Sequence, residues 1–316
     1  MSNSEAIAQV RASVQHAVIG QHEVIDQVLV ALISGGHVLL EGVPGLGKTL
    51  LARALSKALS MKFARVQFTP DLMPSDVSGH AVYDPKSESF RIRRGPVFTN
   101  LLLADEINRA PAKTQASLLE VMQEQQVTIE GKAFKLDPPF LTIATQNPIE
   151  SEGTYPLPEA QVDRFLLKVL MDYPEQDEEQ SLVSSVIDGN VGDGFNLDDV
   201  QPVLDGDQLM ALQQAAAELT IDEAVRDYAV EIVRQSRDWA GVAVGAGPRG
   251  SIALLRAARA AAFIAGRDFV TPDDVKGIAT AALRHRIILA PEMEIEAYTT
   301  DDLIREILDK IDAPRA

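Results

Sequence analysis

The chain has 316 residues, 46% hydrophobic and 24% charged, and carries a formal net charge of −17 from 46 acidic and 29 basic side chains. That is length for roughly two domains of about 150 residues with a sizeable core, and the composition fits neither a disordered nor a membrane-embedded chain, while the negative sum argues against nucleic acid or an anionic membrane as partner. The absence of cysteine excludes disulfides, thiol catalysis and Cys-ligated metals, and the five histidines show no ligand spacing, so any metal here is held by oxygen.

Residues 21–34 carry a helical pattern that stops at Gly35-Gly36. Its apolar run 28–33 is far shorter than the ~18 residues that span a bilayer, and Met1 to Glu5 lacks a basic-then-apolar leader pattern, so no membrane insertion and a cytoplasmic location are expected. A buried strand over 37–40, a glycine-rich turn and a helix over 48–60 follow. Further strands are predicted over 63–68, 101–105 and 141–145, with a helix over 112–124 that places Leu118, Leu119 and Met122 on one side. Continuous apolar strands between helices imply a parallel sheet covered on both faces. The segments 127–129 and 133–136 flank Glu130-Gly131-Lys132 as a hairpin that projects from the sheet, closed by Pro138-Pro139.

From Asp172 to Asp207 there are eleven acidic residues and no Lys or Arg, about two thirds of the net charge. The Gly- and Asp-containing part of this stretch, about 188–207, reads as a linker between a first domain, 1–187, and a second, 208–316. Beyond it only helices are predicted, over 207–219, 221–239, 248–265 and 271–284, the last with Thr271 as cap and Pro272 in its first turn.

Chemistry concentrates in two motifs. Gly42-Val43-Pro44-Gly45-Leu46-Gly47-Lys48-Thr49, continued by Leu50, fits G-x-x-x-x-G-K-[ST] and lies between a buried strand and a helix. Its glycines let backbone N–H groups converge on phosphate oxygens, the helix N-terminus adds partial positive charge, Lys48 reaches the β and γ phosphates of ATP, and Thr49 ligates Mg2+. The strand 101–105 ends in Asp105-Glu106 at the edge where doubly wound sheets bind ligands. Asp105 is expected to hold the magnesium shell and Glu106 to polarise an attacking water, which selects hydrolysis over transfer to a second substrate.

With these two motifs, the ordered set Val18-Ile19-Gly20-Gln21, Asp105-Glu106-Ile107-Asn108-Arg109-Ala110, 115–124 (QASLLEVMQE), Ala144-Thr145-Gln146-Asn147-Pro148, 157–165 (LPEAQVDRF) and Gly247-Pro248-Arg249 resembles the MoxR-type AAA+ ATPases over nearly the whole chain. The resemblance implies an α/β nucleotide-binding domain with a helix 2 insert and a small all-helical lid. It also implies a ring, usually hexameric, with ATP between subunits, acting as a remodelling or maturation factor, often beside proteins with a von Willebrand factor A domain. Carried onto this chain, it places Ile19, Gly20 and Gln21 by the adenine and makes Asn147 the first sensor. Arg164 becomes the finger that enters the neighbouring subunit's site, with Arg109 as rival, and Arg249 a second sensor touching phosphates of its own subunit. The 69–96 insert and the 127–136 hairpin would line the ring's central face. Phe90, among Arg91, Arg93 and Arg94, either contacts a partner or packs the insert down; Trp239 belongs to the lid core and the histidines, His37 included, are structural or surface residues. Two other classes compete: an ATP-gated adaptor with slow hydrolysis as off-switch, and a DNA motor, which lacks a basic track beyond 91–94.

Overall fold

A computed structural model of the protein describes residues 2–148, 153–187 and 197–314, so residues 188–196 of the expected acidic linker lie outside the described residues. The chain begins with α1 (Asn3–Gln15), started by a reciprocal Ser2/Glu5 capping box, and α2 (His22–Ile33). Then come β1 (Val38–Glu41), α3 (Lys48–Ala58) and β2 (Phe63–Gln67). The insert folds as α4 (Pro74–Ser78) and a ribbon of β3 (Gly79–Asp84) and β4 (Ser89–Arg94). After it come β5 (Leu101–Asp105), α5 (Ala112–Glu124), β6 (Gln126–Ile129), β7 (Lys132–Lys135), β8 (Leu141–Gln146), α6 (Glu159–Val162), β9 (Leu167–Leu170) and α7 (Gln176–Ile187). The second half contains α8 (Gly206–Ala217), α9 (Glu223–Gln235), β10 (Val242–Val244), α10 (Pro248–Ile264), α11 (Pro272–Leu283), β11 (Ile288–Leu289), α12 (Pro291–Ile295) and α13 (Thr300–Lys310).

The main sheet has five strands in the order β2-β5-β8-β1-β9, all parallel. Alternation of side chains across these buried strands splits the core. Leu40, Leu101, Leu103, Ile143 and Leu167 face α1, α2 and α3, whereas Leu39, Leu102, Ala104 and Ala144 face α5 with Phe68, Leu118 and Leu119. Each fully buried leucine in these layers contributes on the order of 2 kcal/mol. β9 is a strand that periodicity leaves unassigned; its Val169 and Leu167 are buried while Lys168 pairs with Glu41 of β1 at 2.9 Å. The β6–β7 hairpin forms its own antiparallel pair and does not extend the sheet.

The helices after Gly206 continue the first of these cores. α10 lies on α2, α9 and α11, and its buried face is Ala253, Leu254, Ala257, Ala258, Ala260, Ala262 and Phe263, mostly alanines, which let helices approach closely. The helical part also carries a two-stranded ribbon, β10 with β11, which a helices-only reading does not contain. Trp239 packs against this core with Lys310 Nζ 4.7 Å above its ring. Among the described residues no helix is long and apolar enough to cross a membrane.

His37, at the start of β1, is a buried structural residue. Its Nδ1 accepts from the Thr142 N–H at 3.0 Å, which leaves the proton on Nε2, 3.0 Å from the Met122 carbonyl. Burial drives its pKa from 6.5 down to about 4, helped by the nearby Arg256 charge and opposed by the Met122 bond. The unfolded chain therefore takes up this proton at a higher pH than the folded one, so the stability held above pH 6.5 is lost as pH falls toward 4. The expected loss is up to about 3 kcal/mol. Urea unfolding of the parent and of His37→Gln between pH 7 and pH 4 checks it: the parent should lose more stability than the variant, and equal losses would remove His37 as the cause.

Candidate active site

The glycine-rich turn leaves β1 at Gly42, where a Cβ would come within 2.7 Å of the Met171 carbonyl oxygen. Gly45 and Gly47 take φ of +91° and +85°, the left-handed region that glycine enters without strain. Gly47 caps α3 without a side-chain hydrogen bond, leaving the first N–H groups of the helix facing the turn. Pro44 and Gly45 form the turn itself, just after Val43, and Thr49 stands in the first turn of α3. Lys48 Nζ folds across the loop and donates to the Gly42 carbonyl and, at 3.3 Å, to that of Gln146.

Strand order brings the second motif beside it, because β8 lies between β1 and β5. The pairing Glu41↔Gln146 sets Asn147 level with Gly42, and Ala104↔Ala144 sets Asp105 level with Thr145. Asn147 is 5% exposed and emerges between the glycine turn and the two carboxylates. Asp105 Oδ1 accepts from the Thr145 hydroxyl at 2.6 Å, and its Oδ2 accepts from Arg65 Nε and Nη2 at 3.0 and 2.7 Å. The Glu106 N–H in turn donates to Thr145 Oγ1 at 2.8 Å. Glu106 is left-handed, φ 54° and ψ 51°, a conformation costing a non-glycine residue about 1–2 kcal/mol and held here by its partners. Its Oε2 accepts from Gln67 Nε2 at 2.6 Å and from Arg109 Nη1 at 2.9 Å.

Arg65, Gln67 and Thr145 are thus site residues that sequence reasoning missed. Arg65 and Gln67 are alternate positions of β2, so both side chains leave the same face, and that period-2 polar pair was the available signal. Arg109 is placed beside Glu106 of its own chain rather than at an outer edge.

An apolar slot adjoins the glycine turn, lined by Val18, Ile19, Leu46, Leu50, Pro174 and Leu182, with Gln21 at its side. Gln21 Nε2 donates to the Asp172 carbonyl at 2.8 Å. Gly20 instead lines the neighbouring polar cavity, because a Cβ there would lie 2.7 Å from Pro174 Cβ and the chain turns at φ +72°.

The remaining two candidates sit elsewhere. Arg164 precedes β9, whose Leu167 pairs with Val38 at the start of β1, so it lies at the sheet edge opposite the glycine turn. Arg249, at the start of α10, is 3.8 Å from Asp163 and lines the same cleft of ≈ 460 Å³ as Arg164, Arg256, Gly35 and Gly36. At least three strand rises, about 10 Å, separate this edge from the turn that carries Lys48. The packing of α10 on the end of α2 carries its N-terminus, and Arg249 with it, to this far edge.

In the insert, Phe90 is 71% exposed and meets Tyr83, 51% exposed, on the paired strand edge to face at 5.4 Å. At the ribbon's base a Cβ on Gly79 would be 2.3 Å from the Arg93 carbonyl oxygen, and one on Gly95 2.3 Å from that of Val77. The two glycines let these backbones touch.

Comparison with known proteins matches residues 37–167 to the ATPase family associated with various cellular activities (AAA) and residues 234–307 to the AAA lid domain. Relatives include the uncharacterized protein YeaC of Bacillus subtilis, 43% identical over 95% of this chain and 92% of its own. Chaperone MoxR1 of Mycobacterium tuberculosis is 42% identical over 96% and 81%, respectively. A crystal structure of a candidate ATPase from Cytophaga hutchinsonii superposes with a TM-score of 0.90 at 42% identity, covering 99% of this chain and 96% of that one.

Proposed function

The chain belongs to the MoxR family of AAA+ ATPases, and from that premise we propose that it hydrolyses Mg2+-bound ATP between the subunits of a homo-oligomeric ring, a hexamer, to remodel or mature partner proteins. What carries this reading is the division of the candidate residues between two opposite sheet edges. Lys48, Thr49, Asp105, Glu106 and Asn147 share one edge, while Arg164 and Arg249 share the other, beyond reach of their own chain's phosphates. A ring in which the second edge of one subunit faces the first edge of the next completes every site.

The donor set suits magnesium: a threonine hydroxyl and one carboxylate, hard oxygens that leave room for water and phosphate. Thr49 and Asp105 would hold the ion, with Arg65 and Thr145 orienting the carboxylate, and the bound ion would neutralise charge on the β and γ phosphates. The turn's N–H groups and Lys48 bind the phosphates. Glu106 takes a proton from the attacking water, Asn147 orients that water by its amide, and the bond from the γ phosphorus to the bridging oxygen breaks. Arg164 and Arg249 of the neighbouring subunit stabilise the charge that develops. Ile19 and Gln21 flank the adenine in the apolar slot, with Gly20 shaping the chain beside it.

We divide the chain into a nucleotide-binding domain, 1–187, and a lid, 208–316; the family matches over 37–167 and 234–307 lie within these two parts and support the division. The chaperone designation of the Mycobacterium tuberculosis relative supports a remodelling role. The exposed Tyr83 and Phe90 of the insert supply a surface for a partner, a von Willebrand factor A domain protein on the family resemblance.

The test is ATP hydrolysis per subunit as a function of protein concentration, with and without EDTA. Specific activity is expected to rise to a plateau as subunits associate, to vanish with EDTA and to return with Mg2+. Activity that stays flat and negligible while ATP binds would favour the ATP-gated adaptor instead.

A further inference from the structure

Arg286 follows α11 and is 8% exposed, yet no motif includes it. A buried guanidinium is tolerated only when its donors are occupied, and here they turn to one short segment, one helix end and the adjacent His285, whose Nε2 is 2.7 Å from Nη1. Nε donates to Asp163 Oδ1 at 2.8 Å, and Nη2 donates to the Phe165 and Asp163 carbonyls at 2.7 and 3.1 Å. Nη1 donates to the carbonyls of Ala282 and, at 3.2 Å, Leu166. The fork therefore grips residues 163, 165 and 166 and brackets Arg164 from both sides. The other carboxylate oxygen of Asp163 faces Arg249 at 3.8 Å, so a single aspartate joins the buried arginine to the exposed one. His285 adds a further contact, its Nε2 lying 3.1 Å from the Phe165 carbonyl.

We infer that Arg286 is a positioning residue for the edge that acts on the neighbouring subunit: by fixing the backbone of residues 163–166, and Arg249 through the shared Asp163, it presents Arg164 and Arg249 as one preset cationic pair. The inference rests on the reading that this edge works in trans. A planar fork in register with four carbonyls and a carboxylate is what a lysine ammonium lacks, so Arg286→Lys keeps the charge and loses the alignment. The variant's own nucleotide edge is untouched. Its nucleotide affinity should stay within about twofold of the parent while its turnover falls at least about tenfold, a loss in kcat rather than in KM.

Mixing separates positioning from simple stapling of the fold. Arg286→Lys subunits have a sound nucleotide edge and a misplaced finger; Glu106→Gln subunits have the reverse. Two inactive proteins combined one to one should recover activity, to about a quarter of the parent's, because a random ring pairs a sound edge with a sound finger at about one interface in four. Arg164→Ala mixed with Glu106→Gln is the control for the trans reading. Recovery in both mixtures supports the inference. Recovery only with Arg164→Ala overturns it, as does full activity of Arg286→Lys alone, and failure of both mixtures overturns the trans reading together with it. Should Arg286→Lys show no cooperative melting transition, Asp163→Asn, which keeps the side-chain shape and removes the shared charge, is mixed in the same way and judged by the same outcomes.

Discussion

Arg164→Ala is expected to lower ATP turnover per subunit by about 10³-fold at concentrations where the parent is assembled, an effect at the lower end of what a guanidinium supplied to a phosphoryl-transfer site contributes. The cost falls on kcat, because a finger arriving from another subunit meets charge that appears only in the transition state. Arg164 Nε is buried with no hydrogen-bond partner among the described residues, and no ion pair of Arg164 occurs among them, so little structural stabilisation is removed with the side chain. Titration with a fluorescent ATP analogue should give a dissociation constant within a few fold of the parent's. The dependence of specific activity on concentration should disappear with the turnover. A variant that keeps turnover within about fivefold would exclude Arg164 from that role, since no finger worth so little has been removed.

Glu106→Gln should retain ATP and lose about 10²- to 10⁴-fold in turnover, equivalent to about 3–5 kcal/mol of barrier, since the amide cannot accept the water's proton. The substitution is nearly isosteric. The left-handed backbone at 106 is held by the Thr145 hydroxyl rather than by the carboxylate, so the turn that carries Asp105 and Glu106 should keep its shape. Arg109 loses a charged partner 2.9 Å away, a partly buried pair still open to solvent that contributes on the order of 1 kcal/mol. Stopped turnover with unchanged thermal stability and intact nucleotide binding is the expected result. Unchanged turnover would take Glu106 out of the mechanism and leave the water to Asn147 alone.

The nucleotide edge was legible because its parts are contiguous. Residues 42–49 state their own backbone geometry through glycine spacing, and 101–106 state a buried strand and the carboxylates at its end. Asn147, just past a buried strand, came instead from the family resemblance. The predicted helices over 48–60, 112–124, 248–265 and 271–284 match α3, α5, α10 and α11 to within a turn, because each has a long apolar face and a stop signal. β9 and the ribbon of β3 and β4 were not resolved: the first is four residues long, and the second is a polar, exposed pair with no buried face to impose a period.

By itself the sequence determined the strand, glycine-rich turn and helix of the first motif, the acidic pair beside them, the α/β core and the helices that follow it, since each is written in neighbouring residues and local hydrogen bonding. Tertiary structure alone decided which distant residues serve those motifs. Arg65, Gln67 and Thr145 reach Asp105 and Glu106 only because β2, β5 and β8 pair in that order and register. Arg249 stands with Arg164 rather than with Lys48 because α10 buries its alanine face against α2, and Arg286 grips residues 163–166 only because α11 ends beside β9. Strand order and helix docking are set by burial of apolar surface across the whole chain, which has no local signature in the residues it brings together.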